Sequence, residues 1–234
     1  MHRTDAPGHV ANLHVDLNPP TPGTVVAAAT MNALQEELCG MVEDLGIVLV
    51  KGTNTQLKTA IRSLFNMNRV SIIASVAGNA LTVAIKNLAG VDASAADPIW
   101  FSFIDSANPA SGLLVPAKLT AASSIVISSG STLGTADATP FTLHLVMFKD
   151  GATLRPALTQ VGGDFITTAY PLDSATAEGG AGGADNANTF YSNAAISSKA
   201  LVYLGTLKWE SGLATAGTWN AAPSKVRPFF TGLQ

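Results

Sequence analysis

At Arg69 the hydrophobic period of the chain changes, and that change constrains the fold more than any other feature. Upstream, Met31, Leu34, Leu38, Met41 and Leu45 recur at intervals of 3-4-3-4, the a/d spacing that lines one face of a helix. Downstream, apolar residues come in short runs rich in β-branched and aromatic side chains, at 70–73, 81–85, 99–103, 124–127, 141–148 and 200–209. Turn signals separate them: Gly78-Asn79, Asn108-Pro109, Lys149-Asp150-Gly151 and Gly162-Gly163. Strands at such intervals, with no helical pattern between them, predict a mainly β fold, an antiparallel, jelly-roll-like β-sandwich over residues 69–234. Asp150-Gly151, between two apolar runs, is the clearest hairpin signal. Residues 173–188 are almost all Gly, Ala, Ser, Asp and Asn, too poor in apolar area to build an element, and predict a long exposed loop.

Ahead of the sandwich the organisation is different. Residues 1–23 hold four prolines and two glycines with little periodicity, and read as an extended arm that orders only against a partner. Residues 24–68 read as a helical docking or trimerisation module. A stripe of two heptads is too short to stand alone, since helices under ~12–15 residues are marginal in water, and Gly40 weakens this one further. The seam of Met31, Leu34, Leu38, Met41 and Leu45 must therefore pack on something. One candidate is the same helix of two symmetry copies, which gives a homotrimer. The other is a second helix opened by Asn54, whose Leu57, Ile61 and Leu64 form a stripe of their own. Spacing leaves both open. The first helix carries Glu36, Glu37, Glu43 and Asp44 and no cation, the second Lys58 and Arg62.

Composition narrows the class. Hydrophobic residues are 47% of the chain and charged residues only 12%, against about 25% in an average soluble protein. So little charge protects a monomer poorly from association, whereas an obligate oligomer buries the exposed remainder. A net charge of −3 without a basic run argues against nucleic acid as a partner. No segment approaches the ~18 apolar residues of a membrane span, and the N-terminus lacks the apolar core of a secretory signal. The expected place of synthesis is a cytoplasm. One cysteine, Cys39, excludes an intrachain disulfide framework. Its b-type heptad position puts it on the outer face of the first helix; a buried or inert thiol is the ordinary reading, and an intermolecular disulfide in an assembled particle is the alternative.

Residues that carry chemistry are sparse. His2, His9 and His14 lie on the arm at spacings that fix no metal geometry. His144 stands alone on a predicted strand and reads as a surface or interface side chain, with no nucleophile motif to serve. No G-x-S-x-G, H-E-x-x-H, Walker loop or C-x-x-C occurs. The acids border turns, and Asp185-Asn186-Ala187-Asn188 offers alternating oxygens without the grammar of a calcium loop. The expectation is a chain with no catalytic residue, cofactor or resident metal. Tyr170, Tyr191 and Trp219 are the aromatic candidates for contact with a sugar ring.

Three short motifs carry a resemblance. They are Pro22-Gly23-Thr24-Val25-Val26, then Asn32-Ala33-Leu34-Gln35-Glu36-Glu37, then Asn54-Thr55-Gln56-Leu57 with Ala60-Ile61. Their order resembles the N-terminal module of bacteriophage tail-fibre and related virion fibre proteins. Near the other end Phe190-Tyr191-Ser192, Leu204-Gly205-Thr206-Leu207, Ala214-Thr215-Ala216-Gly217-Thr218-Trp219 and Ala222-Pro223-Ser224 are similar to phage tail-associated β-domains. Where that family has an acidic cap and an aromatic residue entering the helix, this chain has Ala29 and Thr30, with the Thr30 hydroxyl left to cap. The resemblance implies a homotrimer attached through residues 1–64 to other virion proteins (capsid, tail or portal-proximal), with an outward β-domain. It implies a non-enzymatic tail fibre, head fibre or capsid decoration protein. The alternative is a module that binds host-surface glycan, and a glycan depolymerase ranks third.

Overall fold

A computed structural model describes residues 28–45, 47–160 and 172–229. The arm over residues 1–23 and Tyr170 lie outside them. The chain divides into two compact units, Met1–Asn66 and Met67–Gln234.

In the first unit, helix α1 (Ala28–Asp44) packs against helix α2 (Gln56–Phe65). Thr30 sits inside the first turn of α1, so it is not the cap expected of it. Helix α2 starts two residues later than Asn54. Thr55 stands at its N-cap without a side-chain cap, and the Thr55 carbonyl accepts from the Thr59 amide and hydroxyl. The buried amide of Gln56 fastens the connecting segment: Oε1 accepts from the Val50 N–H at 3.1 Å, and Nε2 donates to the Val48 carbonyl. A polar side chain at the head of α2 is thereby satisfied by backbone that no helix or sheet would otherwise use.

The second unit is mainly β, sandwich-like and almost wholly antiparallel, as the alternation predicts. Strands β1 (Ser71–Ala77), β2 (Ala80–Lys86) and β5 (Ser123–Ile127) form a sheet in the order β1-β2-β5. Strands β3 (Ile99–Ile104) and β4 (Leu114–Leu119) form a two-stranded ribbon. The remaining strands are β6 (Phe141–Asp150), β7 (Thr153–Thr159), β8 (Leu172–Ala177), β9 (Phe190–Ser192), β10 (Ile196–Trp209) and β11 (Lys225–Pro228). They run in the order β11-β10-β6-β7-β9-β8, with β8 parallel to β9. Because β8 pairs also with β10, the strands β10, β6, β7, β9 and β8 close on themselves. Of the four turn signals, Gly162-Gly163 lies outside the described residues and the other three fall between paired strands, Asn108-Pro109 between β3 and β4. Gly78 and Asn79, at φ 57° and 60°, join β1 to β2 in the left-handed pair a type I′ hairpin needs. Gly151, at φ 63°, opens the turn from β6 to β7.

Strand β6 explains the layering. Leu143, Leu145 and Met147 point into the main core with Leu81, Val83, Ile85, Phe101, Phe103, Ile125 and Ile127. Val146 and Phe148, on the opposite face, join Ala157, Ala175, Phe190 and Ile196 in a second cluster, drawn from all the strands of the closed set. A strand covered on both faces needs a continuous apolar run, and 145–148 is one.

Residues 173–188 are only in part the predicted exposed loop: 178–188 form no strand or helix and are mostly exposed, but the segment begins in a strand and is anchored. Asp173 to Ala177 belong to β8, and Ala184 is fully buried. The segment is held by polar contacts in place of apolar area. The buried Glu178 carboxylate accepts from the Ser128 N–H (2.7 Å), the Gly180 N–H (2.9 Å) and the Ser128 and Ser131 hydroxyls (3.1 Å each). Asp185 Oδ1 accepts from the Thr132 N–H and hydroxyl at 2.8 and 3.0 Å. Composition alone is blind to such bonds, because they need partners some fifty positions away.

Two outcomes test this construction by urea titration. Each Glu178 oxygen takes a backbone N–H, so Glu178→Gln turns an NH₂ group against one of them and is expected to cost about 2 kcal/mol. Gly205 lies at φ 152° beside the bulge in β10, and a Cβ there would strike the Arg227 carbonyl, Ile72 Cδ1 and Pro228 Cα. Gly205→Ala is therefore expected to cost about 2–3 kcal/mol, with an unchanged m-value.

Candidate docking surface

The helices of the first unit bury their small side chains and expose their large ones. In α1, Cys39 and Val42 are fully buried, whereas Met31, Leu34 and Met41 are exposed, Leu34 at 54%. Leu38 is half-buried, and Leu45, just beyond the helix, is buried. In α2 the buried residues are Gln56, Ala60 and Ser63. Leu57 is half-buried, and Ile61, Leu64 and Phe65 are exposed, Phe65 at 79%. At 3.6 residues per turn, Leu34 and Met41 of α1 and Ile61, Leu64 and Phe65 of α2 occupy arcs adjacent to the buried ones, while Met31 lies on the Val42 side near the start of α1. The two helices pack through one arc of each, where Ala60 and Ser63 add little bulk, and the second apolar arc is left outward.

Two expectations are corrected by this arrangement. Cys39 was placed on the outer face of the first helix, but it lies inside the unit. The face that packs on α2 is centred one step round from the heptad seam, so the b position points in and much of the a/d stripe points out. A buried thiol does not reach a second copy, and the intermolecular disulfide is set aside. The stripe of Leu57, Ile61 and Leu64 was a candidate for packing the helix pair together. Only Leu57 is partly covered, and the residues α2 buries are Gln56, Ala60 and Ser63. Phe65 was missed as a surface residue, although its place four residues after Ile61 continues the same stripe.

The two aromatic candidates among the described residues, Tyr191 and Trp219, are not exposed for contact with a sugar. Trp219 is fully buried, donates from Nε1 to the Ser131 carbonyl at 2.9 Å, and meets Phe141 and Trp209 edge-on. Tyr191 is buried, and its hydroxyl accepts from the Asn186 N–H at 3.1 Å. Both are core side chains whose polar handles are satisfied internally, the usual condition of a buried Trp or Tyr. Among the described residues no group of His, Cys, Asp and Glu is arranged to hold a metal ion.

His144 is buried rather than at the surface. It shares the β6 face of Val146 and Phe148, and its Nδ1 lies 3.2 Å from the Tyr203 hydroxyl. Burial lowers the His144 pKa below 6.5 and pushes the Tyr203 phenol up to about 12. The neutral imidazole is thus favoured in the folded state, while the unfolded chain takes up a proton near pH 6.5. The stability His144 contributes is present above pH 6.5 and is lost as the pH falls through the lower folded-state value. Urea midpoints measured from pH 8 to pH 5 are expected to fall across this window, and to fall less for His144→Gln.

The apolar arcs of α1 and α2 are therefore the surface best suited to a partner. Compared with known protein families, with curated proteins and with solved structures, the chain finds no match.

Proposed function

We propose that this chain is a non-enzymatic structural protein of a bacteriophage particle, a homotrimeric fibre or decoration protein. Its arm and helices attach it to other virion proteins through residues 1–64, and its β domain faces outward. The observation that carries the reading is the outward arc of Met31, Leu34, Met41, Ile61, Leu64 and Phe65 on two short helices. An arc of large apolar side chains at helical spacing is costly to leave in water and marks an interaction surface. The low charge of the β domain, nine basic and ten acidic residues from Arg69 to Gln234, favours the same conclusion, because a chain this weakly charged gains from burying surface against copies of itself. The particle is suggested by the resemblance of Asn32–Glu37, Asn54–Leu57 and the Pro22-Gly23-Thr24 turn to virion fibre modules. The glycan-binding alternative loses two of its three aromatic candidates, since Trp219 and Tyr191 are core residues and Tyr170 lies outside the described residues.

Mass measured by sedimentation equilibrium is expected to be three times that of the chain. The variant Leu34→Ser/Met41→Ser/Phe65→Ser removes large apolar side chains from the arc and is expected to weaken self-association by about 100-fold or more, with far-UV circular dichroism unchanged. A monomeric parent chain sinks the homo-oligomeric reading. In infected cells, deletion of residues 1–23 is expected to abolish incorporation into particles. Normal incorporation refutes the attachment role.

A further inference from the structure

We infer that copies of this chain join head to tail through their helices, the exposed apolar arc of α1 in one copy packing on the exposed arc of α2 in the next. This rests on the homo-oligomeric reading above and assigns each arc its partner.

The arcs themselves are alike, so the charges beside them decide what they meet. On α1, Leu34 and Met41 occupy the middle of the exposed arc, and Glu37 and Asp44, both exposed, line its outer border. On α2, Ile61, Leu64 and Phe65 form the arc, and exposed Lys58 and Arg62 line its border. Helix α1 contains no Lys or Arg, and α2 contains no Asp or Glu. Packing α1 on α1 would collect Glu37 and Asp44 from every copy around one seam with no cation on either helix. Packing α2 on α2 would collect Lys58 and Arg62 in the same way. Only α1 against α2 sets opposite charges beside a shared apolar contact.

Within one chain α1 already packs on α2, and the residues the two helices bury are others, Cys39 and Val42 on α1 and Gln56, Ala60 and Ser63 on α2. The outward arcs of a single copy are thus left for its neighbours. Two unlike patches on one copy define a heterologous contact, and such contacts give a closed ring when the rotation between copies closes. Exposed ion pairs are worth only ~0–1 kcal/mol each, so apolar burial supplies the affinity. The charges supply the choice of face, by penalising the wrong one.

Sedimentation velocity on the full-length chain at low salt tests this. The variants Glu37→Lys/Asp44→Lys and Lys58→Glu/Arg62→Glu are each expected to self-associate about tenfold more weakly than the parent, with circular dichroism verifying that the helices persist. Mixed in equal amounts, the two are expected to recover associated mass, because a basic α1 in one now meets an acidic α2 in the other. A single chain carrying all four substitutions is expected to recover it as well. The inference is overturned if Glu37→Lys/Asp44→Lys associates as well as the parent or better, the result of α1-on-α1 packing. It is overturned equally if the mixture stays as dissociated as its components, which would mean that these charges act within one chain. A parent chain that sediments as a monomer instead overturns the homo-oligomeric reading itself.

Discussion

The β domain depends on β10, a fourteen-residue strand with more partners than its two edges would serve in a regular sheet. Its first residues pair with β8, and its last pair with β6 and β11. The strand manages this by bending. The register against β6 shifts between Tyr203 and Gly205, and Gly205 takes a conformation that ordinary side chains avoid. The bend lets the backbone of β11 and the Ile72 side chain of β1 approach the space a Cβ would fill. Closing β8 back onto β10 gives the short strand β8 a neighbour on both sides, which removes an edge that would otherwise invite further pairing. It also encloses Val146, Phe148 and Phe190 between strands, so the sheet is covered on a face that a two-layer sandwich would leave to water.

How much of this the sequence carries depends on the distance over which each feature is encoded. Periodicity and turn chemistry are local. The change of period at Arg69, the run 141–148, the Gly78-Asn79 turn and the Asp150-Gly151 turn therefore all read correctly. The closure of β8 onto β10 is not local, and its strand β8, Leu-Asp-Ser-Ala-Thr-Ala, has neither alternation nor bulk. It is a strand because β9 and β10 offer it hydrogen bonds, and because Glu178 is fixed by Ser128 and Ser131 across a long stretch of chain. Trp219 failed as a surface candidate for a related reason. Its surroundings, Ala-Gly-Thr-Trp-Asn-Ala, look like a loop, and they are one, but the loop folds over the core and the indole seals it.

The helices reverse that lesson. Their spacing does encode two apolar stripes, but a stripe does not identify the face that is buried within the chain. Cys39, Val42, Ala60 and Ser63 are small or compact, so they contribute little to a hydrophobic pattern. They nevertheless form the closer contact, because helix axes approach most nearly where side chains are short. Large residues at a/d positions are then displaced to the flank of the pair. What looks in sequence like one amphipathic face is an arc wide enough for two partners, one inside the chain and one outside it.

That division has a physical consequence for assembly. A helix pair held by Val42, Ala60 and a Gln56 side chain bonded to the connecting backbone buries little apolar area for its size. Its intrinsic stability is correspondingly low, since most of the stability of short helices comes from packing of an apolar face. Covering the outer arcs would add roughly 25 cal/mol for each Å² of apolar surface removed from water. Under the proposed association, folding of the helical unit and joining of copies would be coupled, because the same contacts would complete the packing of each helix. The β domain, with its own two apolar clusters, is held together without any such contact.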